Sequence, residues 1–196
     1  MRQVAIFIVS LTIVLQPLFS GDIKGTVICK GVRDSRNVVV YIEKVNTPVP
    51  APKESVSMNQ VNLEFIPHVL PIVKGTTVDF MNSDNVLHNV FTPDKCAEKM
   101  NLGTWPKGEA RSYTFKEEGC ESVVLCNVHP EMEAWVLVLQ NQYFFRTDKD
   151  GTYKIEGIPP GKYTLIAWHE KLKNRSTEIE VPEKGEVEVN FTLKRR

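Results

Sequence analysis

Short segments in which apolar and polar residues alternate run through most of the chain. The clearest of them lie at 23–29, 38–43, 61–65, 78–80, 110–115, 153–155 and 187–193. Further runs rich in apolar and β-branched residues lie at 88–92, 122–126, 134–139 and 161–167. A period of two is typical of half-buried strands, and turn residues separate these runs at spacings of about 8–12 residues. The pattern predicts an all-β protein made of sandwiches, with at most one short helix near 96–101.

The first twenty residues have the pattern of a secretory signal peptide. Arg2 supplies a positive start, residues 4–15 form an apolar run, and the small Ser20 suits a cleavage site. The run is too short to span a bilayer, for which about 20 apolar residues are needed. We therefore expect 1–20 to be removed and the mature chain, without a transmembrane segment, to be periplasmic or extracellular. A retained signal anchor is the alternative.

Charge and length narrow the possible functions. The 24 basic and 24 acidic side chains cancel, so the formal net charge is zero. Nucleic acid is therefore not an expected partner, because phosphate binding needs clustered Lys and Arg. Without the leader roughly 175 residues remain, which is enough for one large domain or two small ones.

The residues with metal-binding chemistry are concentrated in two short motifs. Cys126 opens the stretch Cys-Asn-Val-His-Pro-Glu-Met, which also contains His129 and Met132, and His88 lies upstream in His-Asn-Val-Phe. One thiolate, two imidazoles and one thioether are the ligand set of a blue-copper electron-transfer site. We expect Cys126 to end a strand and His88 to come from a neighbouring strand. Structural zinc is the chemical competitor, although an axial thioether suits it less well.

These motifs resemble the cupredoxin family, specifically amicyanin, pseudoazurin and plastocyanin. The resemblance extends over about 51–140 and implies a Greek-key sandwich with one type 1 copper ion. It assigns the copper ligands to His88, Cys126, His129 and Met132. It also places Asn89 and Pro130 beside the ligands, with Asn89 tuning the cysteine sulfur through a hydrogen bond.

Three cysteines remain once Cys126 is assigned to the metal. Cys96 follows His88 by eight residues, and Cys120 precedes Cys126 by six. If both strands run away from the copper end, these two cysteines meet at the opposite end of the sandwich, at about 3.3 Å per residue. We predict a Cys96–Cys120 disulfide and a free, buried Cys29. The alternative pairs Cys29 with one of the other two.

The C-terminal part resembles the transthyretin-like fold of carboxypeptidase regulatory domains. The resemblance rests on the turn 148–151 and on the motif Ile-Pro-Pro-Gly-Lys-Tyr-Thr-Leu at 158–165. The two opening strands of such a domain are found ahead of the copper motifs, at 25–27 and 38–43.

This order of segments predicts an insertion. A cupredoxin domain at 52–140 would interrupt a discontinuous domain formed by 22–46 and 142–196, with joints at 48–52 and 141–142. The alternative is an N-terminal strand that pairs with the cupredoxin itself. The composite also resembles exported bacterial proteins labelled methylamine-utilisation-like or plastocyanin-like. The second domain shows no catalytic residues and is expected to be a structural or docking module.

The expected function is one-electron transfer outside the cytoplasm, with transient redox partner proteins. Pro130, Met132 and the pair Val86-Leu87 would form an apolar docking patch. Storage, delivery or sensing of copper is the alternative, and a structural module with vestigial ligands is a third. We expect no enzyme, because copper oxidases and nitrite reductases need further histidines. His68 and His169 have no ligand-type neighbours at useful spacing and are expected to be structural or surface residues.

Overall fold

Seventeen β-strands and one short 3₁₀ helix make up the described part of the chain. The computed structural model describes residues 19–47 and 49–195, so most of the expected signal peptide lies outside the described residues. In order, the strands are β1 (Gly21–Lys30), β2 (Val39–Ile42), β3 (Val56–Val61), β4 (Glu64–Ile66), β5 (Val69–Val73), β6 (Thr77–Asn82), β7 (His88–Phe91), β8 (Asn101–Trp105), β9 (Ala110–Thr114), β10 (Cys120–Leu125), β11 (Glu133–Leu139), β12 (Phe144–Arg146), β13 (Thr152–Ile158), β14 (Gly161–Trp168), β15 (Arg175–Val181), β16 (Glu186–Glu188) and β17 (Phe191–Lys194). The 3₁₀ helix is Lys95–Ala97. The predicted all-β class is confirmed. Within these ranges no helix has the length and apolarity to cross a membrane.

Strands β3 to β11 form a sandwich, called here the first sandwich. One sheet has the order β5-β11-β10-β7-β8 and the other β4-β3-β6-β9. The inward side chains of both sheets form one apolar core, whose fully buried members include Met58, Phe80, Trp105, Val124 and Val136. Because β7, β10 and β11 are neighbours in one sheet, the metal-ligand motifs at their ends lie close together.

The remaining strands form a second sandwich, made of β1, β2 and β12 to β17. Strand β1 pairs with β13 and with β16 and β17, while β2 lies between β12 and β14. The fully buried core residues include Ile23, Val27, Ile42, Ile158 and Leu165. In sequence, the whole first sandwich therefore lies between β2 and β12.

A third apolar cluster joins the two sandwiches. Val69, Leu137 and Leu139 of the first sandwich pack against Val39 and Trp168 of the second. The rings of Trp135 and Trp168 meet edge to face across this joint, with centroids 5.8 Å apart. The joint is thus a sheet-on-sheet contact with an apolar, aromatic centre.

Two predicted strands are interrupted. The alternating stretch 61–65 is a hairpin, because Asn62 and Leu63 form a turn with φ of 56° and 60°. The Asp84 carboxylate accepts the backbone N–H of both turn residues, which holds Leu63 in a conformation unusual for its type. The last stretch is divided into β16 and β17, where the Asn190 side chain accepts the Thr26 N–H of β1.

The predicted helix near 96–101 is reduced to three residues. Glu98 and Lys99 both have positive φ, which ends the helix, and Asn101 already begins β8. Alternation of apolar residues alone could not reveal either interruption, since backbone conformations with positive φ leave no periodic signal.

Candidate metal centre

Three of the four predicted ligands converge at one end of the first sandwich. His88 begins β7, Cys126 directly follows β10, and His129 lies in the loop between β10 and β11. Their ligand atoms all lie within 4.8 Å of one another. The two Nδ1 atoms are 3.1 Å apart, and Cys126 Sγ lies 3.9 Å from His88 Nδ1. His88 and Cys126 are buried and His129 is half-buried, so the cluster opens to solvent through His129.

The orientation of His88 is set by Asp84, four residues earlier in the chain. His88 Nε2 lies 2.9 Å from Asp84 Oδ2, and the imidazole is fully buried. A carboxylate can only accept, so Nε2 carries the proton and Nδ1 presents its lone pair to His129 and Cys126. Burial opposes the charge of Asp84, yet N–H donors from Leu63, His88 and Asn62 outweigh it and lower the pKa of the Asp84 carboxyl. Sequence reasoning missed Asp84, although its spacing from His88 was visible.

The sulfur of Cys126 is held by a backbone donor. The N–H of Asn89 points at Sγ from 3.4 Å, whereas the Asn89 side chain donates to Asn101 and Gly103 and accepts the N–H of Asn127. The side chain therefore ties β7 to β8 and to the residue after Cys126, and the main chain contacts the sulfur. The Asn89 N–H thus helps to hold the sulfur beside His88.

Met132 and Pro130 lie on the same short loop. The Met132 N–H donates to the His129 carbonyl at 3.0 Å, which closes a tight turn between the two residues. Met132 is buried in the first core, so its predicted place in the exposed docking patch is wrong, whereas Pro130 is exposed next to His129. Axial ligation by Met132 stays a prediction.

The donor set suits copper. Two imidazole nitrogens and one sulfur within reach of a single ion are the equatorial set of blue-copper sites, with a thioether on the same loop. Ligand atoms at these separations can contact one ion through bonds of about 2.0–2.3 Å. The site supports a copper protein, with His88, Cys126 and His129 as the residues that would hold the ion.

The other cysteines lie away from this centre. Cys96 and Cys120 are joined in a disulfide between the 3₁₀ helix and the start of β10. Cys29 is a free thiol on β1, half-buried, and burial is the main cause that raises its pKa.

His68 and His169 do have ligand-type neighbours in space. Glu170 lies between them, with Oε1 3.5 Å from His68 Nε2 and Oε2 3.2 Å from His169 Nδ1. His68 and Glu170 are far apart in sequence, which concealed their contact, since it forms only where the two sandwiches pack together.

Comparison with known proteins gives a family-model match for the C-terminal part of the chain. Residues 132–194 match the model of the carboxypeptidase regulatory-like domain. The match begins at Met132, just before β11 and ahead of the predicted boundary at 142, and it leaves out β1 and β2, which pair with the strands of the matched part. No curated protein matches the chain.

Several solved structures are similar to the chain. A reduced amicyanin with one substitution is 22% identical over 50% of this chain and 97% of its own, with a TM-score of 0.41. A purple cupredoxin from Nitrosopumilus maritimus is 25% identical over 43% of this chain and 99% of its own, with a TM-score of 0.39. A copper-containing nitrite reductase from Thermus scotoductus is 25% identical over 59% of this chain and 28% of its own, with a TM-score of 0.43. The amicyanin and the purple cupredoxin match over nearly their whole length, whereas only 28% of the nitrite reductase is covered.

Proposed function

We propose that the protein is an exported type 1 copper protein that transfers one electron at a time. The observation that carries the proposal is the mutual approach of the His88, Cys126 and His129 ligand atoms to within 4.8 Å. A bound copper ion supplies one-electron chemistry by alternating between Cu(II) and Cu(I). Zinc offers no such chemistry and does not favour the thioether of Met132.

The surrounding residues hold the ligands in one arrangement. Asp84 fixes the tautomer of His88, the Asn89 N–H is directed at the Cys126 sulfur, and a backbone hydrogen bond closes the loop from His129 to Met132. Ligands that are fixed before the electron arrives need little rearrangement between oxidation states. Such preorganisation favours rapid electron transfer over exchange of the ion.

Electrons would pass through the half-buried ring of His129. Apolar side chains adjoin both histidine ligands in sequence: Val86 and Leu87 precede His88 and are 45% and 53% exposed, and Val128 precedes His129 and is 44% exposed. Small apolar surfaces of this kind suit brief contacts with redox partners. We propose that partners dock here, and that the molecule is a carrier rather than an enzyme.

Electron self-exchange between copies of the copper-loaded protein tests this function. Broadening of NMR signals in mixtures of the oxidised and reduced forms measures the rate. Leu87→Glu introduces repelling charges where two copies would meet, and we expect the rate to fall about tenfold or more. Ile28→Glu, at an exposed position of the second sandwich, is the matched control and leaves the rate unchanged. Loss of copper to a chelator faster than electron exchange would point to delivery instead.

Export is a separate part of the proposal. The pattern of residues 1–20 supports it, since a short apolar run followed by Ser20 is typical of a removable leader. Mass spectrometry of the protein from its natural host should give a mature chain that begins at or near Gly21. A chain that retains residue 1 inside the cell would contradict export and leave the copper site untouched.

A further inference from the structure

The His68 ring lies at the boundary between the two sandwiches and faces an acceptor on each side. Its Nδ1 is 3.0 Å from the carbonyl oxygen of Glu133 at the start of β11, and its Nε2 is 3.5 Å from Glu170 Oε1, just after β14. A carbonyl and a carboxylate both only accept hydrogen bonds. Both contacts are therefore satisfied together only when His68 carries a proton on each nitrogen, as an imidazolium.

Glu170 is the buried partner in this contact. Its side chain is 6% exposed, and its Oε2 has no hydrogen-bond donor among the described residues. The nearby His169 Nδ1 accepts the backbone N–H of Lys171 and so offers Oε2 no proton. An unpaired buried carboxylate is costly, which makes the positive charge of His68 its principal compensation.

Other charged groups line the small cavity around this pair. Lys171 places its ammonium group 3.9 Å from Glu170 Oε1, and Arg36 is already paired with Asp34. The cavity, about 240 Å³ in volume, is also lined by Arg33. On the other side of the ring, Arg146 donates to the Val69 carbonyl. It lines a neighbouring groove with His68, and the charged residues Asp148, Lys149 and Asp150 line the same groove. Apart from Asp34, whose charge Arg36 balances, Glu170 is the only carboxylate among the groups that line the cavity.

His68 also holds the end of the loop that carries His129 and Met132. The His68 ring donates a hydrogen bond to the Glu133 carbonyl. The main-chain carbonyl of His68 accepts the Trp135 N–H at 2.8 Å. Glu133 directly follows Met132. One residue thus contacts the second sandwich through Nε2 and the last part of the ligand loop through Nδ1.

We infer that His68 and Glu170 form a proton-operated latch between the two sandwiches. With His68 protonated, the latch fixes the first residues of β11 against the end of β14. When the proton leaves, the Glu170 carboxylate loses its partner and the joint loosens at this edge, while the apolar cluster with Trp135 and Trp168 still holds the sandwiches together. The latch goes beyond the copper function and does not depend on a bound metal.

The direction of the pH dependence follows from the three groups. The hydrogen bond to Glu170 is the main cause that raises the pKa of His68 above its ordinary value of 6.5. Protonated His68 therefore stabilises the fold fully below pH 6.5, and this stabilisation is lost as the pH rises through the pKa that His68 has in the folded protein. Burial opposes the charge of Glu170, but His68 and His169 lower the pKa of this carboxyl below 4.5, so its contribution is lost only in more acidic solution. Burial lowers the pKa of His169. Its effect on stability is therefore opposite to that of His68, because protonation of His169 weakens the fold as the pH falls below 6.5.

Two measurements on the full-length, metal-free protein test the latch. The first is an NMR titration of the histidine rings, in which we expect His68 to titrate above its ordinary range in the wild type and lower in Glu170→Gln. The second is hydrogen exchange of the Trp135 amide and of residues 165–170, converted to protection factors between about pH 5.5 and about pH 8.5. Protection at the joint should fall about tenfold across this range in the wild type and stay level in Glu170→Gln and His68→Asn.

The controls separate the latch from general effects of pH. Lys171→Gln removes the neighbouring cation but keeps the pair, and it should retain the fall in protection. His169→Gln should retain it as well. The latch is excluded if His68 titrates within its ordinary range in the wild type, a result that requires no variant to fold, or if the joint protection of the wild type does not change with pH.

Discussion

At the scale of single residues, the site depends on which atom of each side chain faces the centre. The ligand types and their order were visible in the sequence, because Cys126, His129 and Met132 together with His88 supply the ligand set of a blue-copper site. The orienting contacts were not visible. From the sequence, Asp84 could equally have been an ordinary turn residue with no contact to His88. Nothing in the sequence shows that the main chain of Asn89, rather than its side chain, contacts the Cys126 sulfur.

Removing the charge that orients His88 should weaken metal binding. We expect Asp84→Asn to lower the affinity for copper about 10- to 100-fold, as removal of an outer hydrogen-bond partner of a ligating histidine does. Asp79→Asn is the matched control, since Asp79 lies in the same sandwich and bonds to Ser55 and Ser112 instead. Competition with a calibrated chelator measures the copper affinity of both variants. Equal affinities of the two variants would show that Asp84 does not act on the metal.

At the scale of strands, period-two alternation located most of the elements but not their ends. It missed β5, β8, β12 and β15, and it merged β3 with β4 and β16 with β17. The breaks occur where a side chain captures backbone N–H groups, as Asp84 does at Asn62 and Leu63. Such capture depends on residues distant in sequence, and no local pattern encodes it.

The disulfide should stabilise the first sandwich without affecting the metal. Cys96 and Cys120 are 24 residues apart, and by the chain-entropy argument a bridge of that length contributes about 3 kcal/mol to the free energy of unfolding. Cys120 and Cys126 lie at opposite ends of β10, about 20 Å apart. Cys96→Ala with Cys120→Ala should therefore lower the midpoint of thermal unfolding and leave the copper spectrum unchanged. A changed spectrum would show that the two ends of β10 are coupled.

Strand β1 should be essential to the second sandwich. A Cβ at Gly25 would lie 1.8 Å from the carbonyl oxygen of Val189, in the backbone between β16 and β17. Gly25→Ala must therefore push the strands apart, and we expect a loss of about 3 kcal/mol in the free energy of unfolding. Ile28→Ala, exposed on the same strand, should cost much less. Equal effects in denaturant unfolding would contradict this role of β1 and weaken the proposal that the first sandwich is an insertion.

At the scale of the whole molecule, the joint between the sandwiches was the part least accessible to sequence reasoning. Val39, Leu139 and Trp168 resemble ordinary core residues, and only the packed structure shows that they face the other sandwich. Burial at this joint raises the pKa of Tyr41 to about 12, with Glu121 and Glu43 adding to the effect. The histidines that sequence reasoning left without a role meet Glu170 at the edge of the same joint.

Loss of the large aromatic ring at the joint should uncouple the two sandwiches. Trp168 is 1% exposed, and Trp168→Ala should destabilise the molecule by about 3–5 kcal/mol. In calorimetry we expect the single unfolding transition of the wild type to separate into two, because the sandwiches keep their own cores. A variant that still unfolds in one transition would show that the joint is not what couples them.

The most direct test is the visible absorption spectrum of the protein loaded with Cu(II). If His88, Cys126 and His129 hold the ion, the spectrum should show intense absorption from charge transfer between the cysteine sulfur and copper. The colour should disappear on reduction and in Cys126→Ser, and it should persist in Cys29→Ser, which removes the other free thiol. A colourless Cu(II) complex, or a colour that survives Cys126→Ser, would contradict the site.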